Sequence, residues 1–135
     1  MNRSIRVIVG DDDANDRFFL QRAFLKICPN VTIDFARNGE EVIRFLKDES
    51  QPVPSLLLLD SMMAKMNGFD VLEWLRPEKQ FAQVPVVMMT GQLSDANATR
   101  AQQCGVKAYV AKPEGMTGLE AFVKDLNEKY LNPTA

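Results

Sequence analysis

The chain has 135 residues, 46% hydrophobic and 25% charged, which suits one domain with a sizeable core. Its formal net charge of -2 supplies no basic stripe for nucleic acid, and no apolar run approaches the roughly 20 residues that span a bilayer. It contains no histidine, so a histidine base, metal ligand or phosphoryl carrier is excluded within the chain. The opening Met-Asn-Arg-Ser lacks the apolar core of a signal peptide. Cys28 and Cys104 form no CxxC pair, so a reduced, cytoplasmic setting is the expectation.

Taken in chain order, short apolar runs alternate with helical patterns. Residues 5–9 form the first run and lead into Asp11, Asp12 and Asp13. Leu20, Ala23, Phe24 and Ile27 then follow helical spacing, and Pro29 stops the helix. Residues 31–36 form a second run, followed by Asn38 and Glu41 as a capping box and a Val42, Phe45, Leu46 stripe. The third run, 56–59, leads into Asp60, and a helix carrying Val71, Leu72 and Leu75 follows Gly68 and ends at Pro77. The fourth run, 86–89, leads into Thr90. Ser94 caps a helix that reaches about Cys104, with Gly105 as its stop. The fifth run, 109–111, leads into Lys112 and Pro113. Thr117 and Glu120 are read as a capping box for a last helix with the stripe Leu119, Phe122, Val123, Leu126, Tyr130.

This alternation predicts an α/β domain, (βα)5, doubly wound around a five-stranded parallel sheet of order 2-1-3-4-5, the flavodoxin-like arrangement. The whole chain, 1–135, is expected to be that one domain, with no output domain attached. Ligands bind at the C-terminal edge of such sheets, beside the point where the winding reverses. Asp11, Asp12 and Asp60 would meet there, with Thr90 and Lys112 beside them. The fourth helix carries only small apolar residues, Ala96, Ala98, Ala101 and Cys104, and is expected to dock weakly.

Three carboxylates at one edge repel each other, and at least one should have a raised pKa unless a cation intervenes. Magnesium takes hard oxygen ligands. Asp12 and Asp60 are expected as direct ligands, Asp11 directly or through water, and the backbone carbonyl of Met62 as a further one. An ionised aspartate can attack phosphorus without a general base. Lys112, Thr90 and nearby backbone N–H groups would neutralise the phosphoryl oxygens. Singly these signals are weak: an aspartate run favours a helix start, Asp60 alone reads as a turn residue, and Lys112-Pro113 as a solvated turn. Phe18, Phe19 and Trp74 read as core or helix-surface aromatics, and Met62, Met63, Met66, Met88 and Met89 as adaptable packing.

The segments VIVGDDDANDR, LLLLDSMMAKMNGFDVL, VPVVMMTG and GVKAYVAKP resemble the receiver domain of two-component response regulators, over essentially the whole chain. The resemblance implies that Asp60 is the phosphoacceptor, Asp11 and Asp12 the acidic pair, Thr90 the switch hydroxyl, Tyr109 the switch aromatic and Lys112 the lysine of the site. It implies a magnesium-dependent, non-turnover reaction whose donor is a histidine on a kinase or phosphotransfer protein. More weakly, DANDRFFLQRAF and ARNGEEVIRFL resemble the small stand-alone regulators paired with bacterial phytochromes. Gly10, Ala64, Asn67 and the tract 114–118 depart from the family pattern. These bear on loop stiffness and phosphoryl lifetime. Met62 and Gln92 would flank the path of an attacking water, and an apolar Met62 implies slow hydrolysis.

Three functions remain in competition. A phosphorylation switch would move Thr90, Tyr109 and the fourth helix, changing the face of helix 4, strand 5 and helix 5 for a downstream protein, as a monomer or a phosphorylation-dependent homodimer. A magnesium-dependent phosphatase would use Asp11-x-Asp13, with Asp11 as nucleophile. A receiver-like adaptor would not be phosphorylated at all. A flavin carrier is disfavoured, because three aspartates would repel a flavin phosphate.

Overall fold

A computed structural model describes residues 5–132. Strands β1 (Ile5–Gly10), β2 (Val31–Ala36), β3 (Leu56–Asp60), β4 (Val86–Thr90) and β5 (Ala108–Ala111) alternate with helices α1 (Ala14–Ile27), α2 (Gly39–Lys47), α3 (Gly68–Leu75), α4 (Asp95–Gln103) and α5 (Gly115–Leu126). A 3-10 turn, Lys79–Phe81, precedes β4, and a π-helical turn, Asn127–Leu131, extends α5. The sheet is wholly parallel in the order β2-β1-β3-β4-β5. This is the flavodoxin-like arrangement expected from the sequence. β3 and β4 are buried along their whole length, as strands covered on both faces must be.

Two apolar layers hold the sheet. On one face Val7, Val9, Leu56, Leu58, Val87 and Met89 pack under α1 and α5. On the other, Ile8, Leu57, Leu59 and Met88 pack with Val42 and Leu46 of α2 and with Phe69, Val71 and Leu72 of α3. The alternation of faces along each strand follows from the two-residue period of a strand.

Helix starts follow local chemistry. Asp13 caps α1 by accepting from the N–H groups of Asn15 and Asp16, and Ser94 caps α4 by accepting from that of Asn97. Asn67 and Asp70 form a reciprocal capping box on α3, which the spacing alone had not flagged. Only half of the expected box on α2 exists. The Asn38 side chain accepts from Glu41 N–H, but the Glu41 carboxylate turns to the Arg37 backbone and guanidinium, at 2.7 Å each. That ion pair holds the Glu41 carboxyl down at about 2.

The expected capping box at Thr117 and Glu120 is incorrect. α5 begins at Gly115, so Thr117 lies within its first turn and no side chain caps the start. Gly115 has φ +69°, a conformation glycine reaches without steric cost, and it lets the chain enter the helix earlier. Packing by Met62 is also incorrect, since its side chain is 68% exposed. On α4, Ala96 and Ala98 face solvent, and Ala101 is the one buried residue.

Candidate functional site

Asp60 and Thr90 are the last residues of β3 and β4, and Lys112 follows directly on β5. In the parallel register Asp60 lies beside Met89 and Thr90 beside Ala111. Short backbone bonds stitch these ends together: Ser61 N–H donates to Met89 O at 2.8 Å, and Lys112 N–H to Thr90 O at 2.8 Å. The β1 end is tied similarly, with Asp11 N–H donating to Ala36 O at 3.0 Å. The edge is therefore a continuous backbone frame, and the functional side chains project from it.

Two glycines set the spacing. A Cβ at Gly68 would lie 2.6 Å from the Asp60 carbonyl oxygen, so the loop after Asp60 folds tightly back only because that atom is missing. At Gly10 a Cβ would meet Val42 Cγ2 at 2.8 Å and Met63 Sδ at 3.2 Å. Val42 and Met63 thus fill the space that a larger residue would take. The loop also contains Lys65 at φ +64°, a left-handed conformation that is uncommon for a residue with a Cβ.

Asp11, Asp12 and Asp60 each offer a carboxylate oxygen within 4.8 Å of the others. Asp11 and Asp60 are buried, whereas Asp12 is exposed. Asp60 Oδ1 accepts from Met62 N–H at 3.0 Å, and Oδ2 pairs with Lys112 Nζ at 2.8 Å. Asp11 Oδ1 accepts from Asp13 N–H at 3.0 Å. Its Oδ2 lies 3.1 Å from Lys112 Nζ but receives no directed hydrogen bond from the described residues. Burial, more than the neighbouring Asp60 charge, pushes the Asp11 carboxyl up to about 6. A buried anionic oxygen without a directed donor, beside two further carboxylates, suits a hard divalent cation, and this triad could bind one.

Burial alone would lower the Lys112 pKa. The carboxylates of Asp16, Asp60 and Asp11 outweigh it and hold the ammonium protonated well above its ordinary range. Thr90 Oγ1 donates to Gln92 O at 3.0 Å. Tyr109 is half-buried against the α3 and α4 side of the sheet, and its buried hydroxyl has no hydrogen-bond partner among the described residues.

The edge thus brings together Asp11, Asp12, Asp60, the Met62 backbone and Lys112, with Thr90 on the adjoining strand end. Two residues of α1 were not anticipated. Asp16 pairs with Lys112 Nζ at 2.7 Å, and Arg17 Nη1 donates to Asp11 O at 2.8 Å. Their spacing after Asp12 places both in the first turn of α1, facing the edge. Only the fold shows which long-range partner each one meets.

The fold and this edge define a signalling receiver. Residues 7–124 match the family described as the response regulator receiver domain, and the chain belongs to it. A receiver domain is not a turnover enzyme, and receiver domains as a class partner histidine kinases. The response regulator Rre1 of Synechocystis sp. is 30% identical over 126 residues, covering 93% of this chain and 53% of Rre1. The chain thus spans about half the length of that relative. The polar-differentiation response regulator DivK of Brucella anthropi is 28% identical over 107 residues, 79% of this chain and 82% of DivK. The phosphorylated cyanobacterial phytochrome response regulator RcpA superposes with a TM-score of 0.89 at 21% identity, over 98% of both chains. The Mn(2+)-bound form of response regulator Rcp1 superposes at 0.85, also at 21% identity, over 97% of both. At these identities the superpositions speak for the fold. Among the described residues no helix is long and apolar enough to cross a membrane.

Proposed function

We propose that the domain is a phosphoryl-accepting switch in which Asp60 takes a phosphoryl group from a histidine on a partner kinase or phosphotransfer protein. One observation carries this reading: Asp60 is buried at the strand end, with Lys112 Nζ 2.8 Å from its Oδ2 and two further acids within metal reach. An aspartate carboxylate paired with an ammonium is itself the nucleophile, so the step needs no base. An Oδ–P bond forms as the P–N bond to the partner's imidazole breaks, and that electron pair returns to the ring. Lys112, already protonated, turns from Asp60 to a phosphoryl oxygen. Backbone N–H groups after Asp60 and the Thr90 hydroxyl complete the cradle.

Asp11, Asp12, Asp60 and the Met62 carbonyl would hold magnesium, which neutralises phosphoryl charge when bound. The absence of histidine in the chain agrees with a donor in trans. The switch reading draws on the same residues. To reach a phosphoryl group, Thr90 must give up its 3.0 Å bond to Gln92 O. Tyr109 loses no hydrogen bond to a described residue if its ring moves, because its hydroxyl has none among them. α4 is held by little apolar area, so the face made by α4, β5 and α5 can change and be read by a downstream protein. The exposed, apolar Met62 bears on hydrolysis: it offers no group to activate water, and we expect a phosphoryl lifetime of minutes or longer, with a lifetime of seconds counting against it.

The test is phosphorylation by acetyl phosphate with magnesium, read by intact-mass spectrometry. The wild type should gain one phosphoryl group, and Asp60→Asn none. Labelling that survives in Asp60→Asn and disappears only in Asp11→Asn would move the nucleophile to Asp11 and favour the phosphatase reading. No labelling and no beryllofluoride binding would favour a non-phosphorylated adaptor.

A further inference from the structure

Lys112 divides one ammonium among three carboxylates, and the shortest contact lies outside the acid triad. Nζ donates to Asp16 Oδ2 at 2.7 Å and to Asp11 Oδ1 at 3.3 Å, and it lies 2.8 Å from Asp60 Oδ2. An ammonium has three N–H donors and no more, so these neighbours claim its whole capacity. The backbone of Asp16 is held in place independently of Lys112. Its own N–H donates to the Asp13 cap at 3.0 Å, which fixes it in the first turn of α1. Together Asp16 and Lys112 close a small cleft between α1 and α5, walled by Leu20, Met89 and Leu119, so the pair is only partly screened by water.

The three contacts differ in what a phosphoryl group would do to them. Asp60 loses its charge on becoming an acyl phosphate, which frees one Lys112 donor. Asp11 belongs to the triad, where a cation would share its charge. The Asp16 carboxylate is altered by neither event and stays in competition with the phosphoryl oxygens for the same ammonium.

We infer that Asp16 is a positioning residue that acts as a standing counter-ion on Lys112, drawing it toward α1 and weakening capture of the phosphoryl group. The inference rests on the phosphoryl-accepting reading of the site. Asp16 touches no reacting atom and works only through Lys112. The effect should be modest, about three- to fivefold, as befits a half-exposed ion pair.

The experiment measures beryllofluoride affinity at saturating magnesium for the wild type and five variants. Asp16→Asn should bind about three- to fivefold more tightly, and Asp16→Glu, which can reach the same ammonium, should return toward wild-type affinity. Glu114→Gln removes a charge from the neighbouring β5–α5 loop, where its side chain makes no cap, and should leave affinity unchanged. In a Lys112→Gln background, Asp16→Asn should have no effect. Unchanged or weaker binding by Asp16→Asn would overturn the inference while leaving the phosphoryl-accepting reading intact. An equal gain in Glu114→Gln, or a gain that persists without Lys112, would reduce the effect to bulk charge and overturn it too. Failure of the wild type to bind beryllofluoride would instead sink both readings.

Discussion

Strand β4 delivers Thr90 and continues into α4, whereas β5 delivers Lys112 and continues into α5. The two helices are held by very different amounts of apolar surface. α5 buries Val123 and Leu126, and its neighbours Leu119 and Phe122 pack on the same layer as α1. Lys26 of α1 pairs with Glu120 of α5 at 3.0 Å. α4 buries only Ala101, and its main aromatic contact is the Arg100 guanidinium, 4.3 Å from the Phe69 ring centroid. The Lys112 charge thus leads into a firmly packed helix. The hydroxyl proposed to move leads into a loosely packed one. Breaking either helix tests whether this division is real.

The largest effect is expected from Leu126→Ala. Leu126 is 2% exposed, and truncating such a side chain leaves a cavity worth about 2–5 kcal/mol. Urea unfolding measures the loss. A loss below about 1 kcal/mol would mean that α5 is no better anchored than α4 and would remove the contrast.

Much of this contrast was legible in the sequence. Large residues at helical spacing marked α5, and small ones marked α4, because burial energy scales with area. The five strands were equally plain, since strands buried on both faces read as apolar runs. The meeting of Asp11, Asp12, Asp60, Thr90 and Lys112 at one edge followed from their places at strand ends. Three things were not legible. Thr117 and Glu120 have the spacing of a capping box, but Gly115 starts the helix sooner and buries that signal inside it. Met62 resembles a packing residue by type, yet it sits outside the core on the loop that Gly68 folds back. The Asp16–Lys112 pair joins residues 96 positions apart, and no local pattern encodes a contact of that range.

Asp11 sharpens the rigid side of the comparison. Its carboxyl ionises at about 6 rather than at 3.8, so the folded state binds a proton that the unfolded chain has already released. As pH rises from 3.8 to 6, this group therefore subtracts stability, and above 6 the full cost, about 3 kcal/mol by linkage, is present. Without metal, Asp11→Asn should be more stable than the wild type at pH 7, and the difference should vanish near pH 4. Magnesium binding requires the ionised form, so wild-type affinity should fall about tenfold per unit below pH 6. Thermal unfolding across pH measures the first effect and calorimetric titration the second. A variant less stable than the wild type at pH 7 would show that the Lys112 pairing outweighs burial.

Gly68→Ala probes the loop between Asp60 and α3. The added Cβ would press on the Asp60 carbonyl oxygen at 2.6 Å, a backbone atom fixed by its strand. Overpacking of this kind costs about 1–3 kcal/mol. The variant should also label more slowly with acetyl phosphate, because relief requires Asp60 or its loop to shift. A fully stable variant with unchanged labelling would show the loop to be as yielding as α4.

The smallest effect is the most discriminating. Ala101→Gly should cost about 1–2 kcal/mol, about 1 from helix propensity and the rest from one lost buried methyl. If α4 opens alone, its amides exchange through a state in which α5 and the sheet remain folded. Ala101→Gly destabilises the native state relative to that open state and to the unfolded chain, so exchange should quicken about five- to thirtyfold both in α4 and in β3. Leu126→Ala destabilises the native and the open state alike, so it should quicken exchange in β3 and leave α4 untouched. Hydrogen exchange by mass spectrometry on the two variants separates the cases. Equal acceleration of α4 and β3 by Leu126→Ala would mean that the helix beyond Thr90 opens only with the whole domain. A readout surface built on α4 would then need the energy of phosphorylation to loosen it, not merely to redirect a helix already free to move.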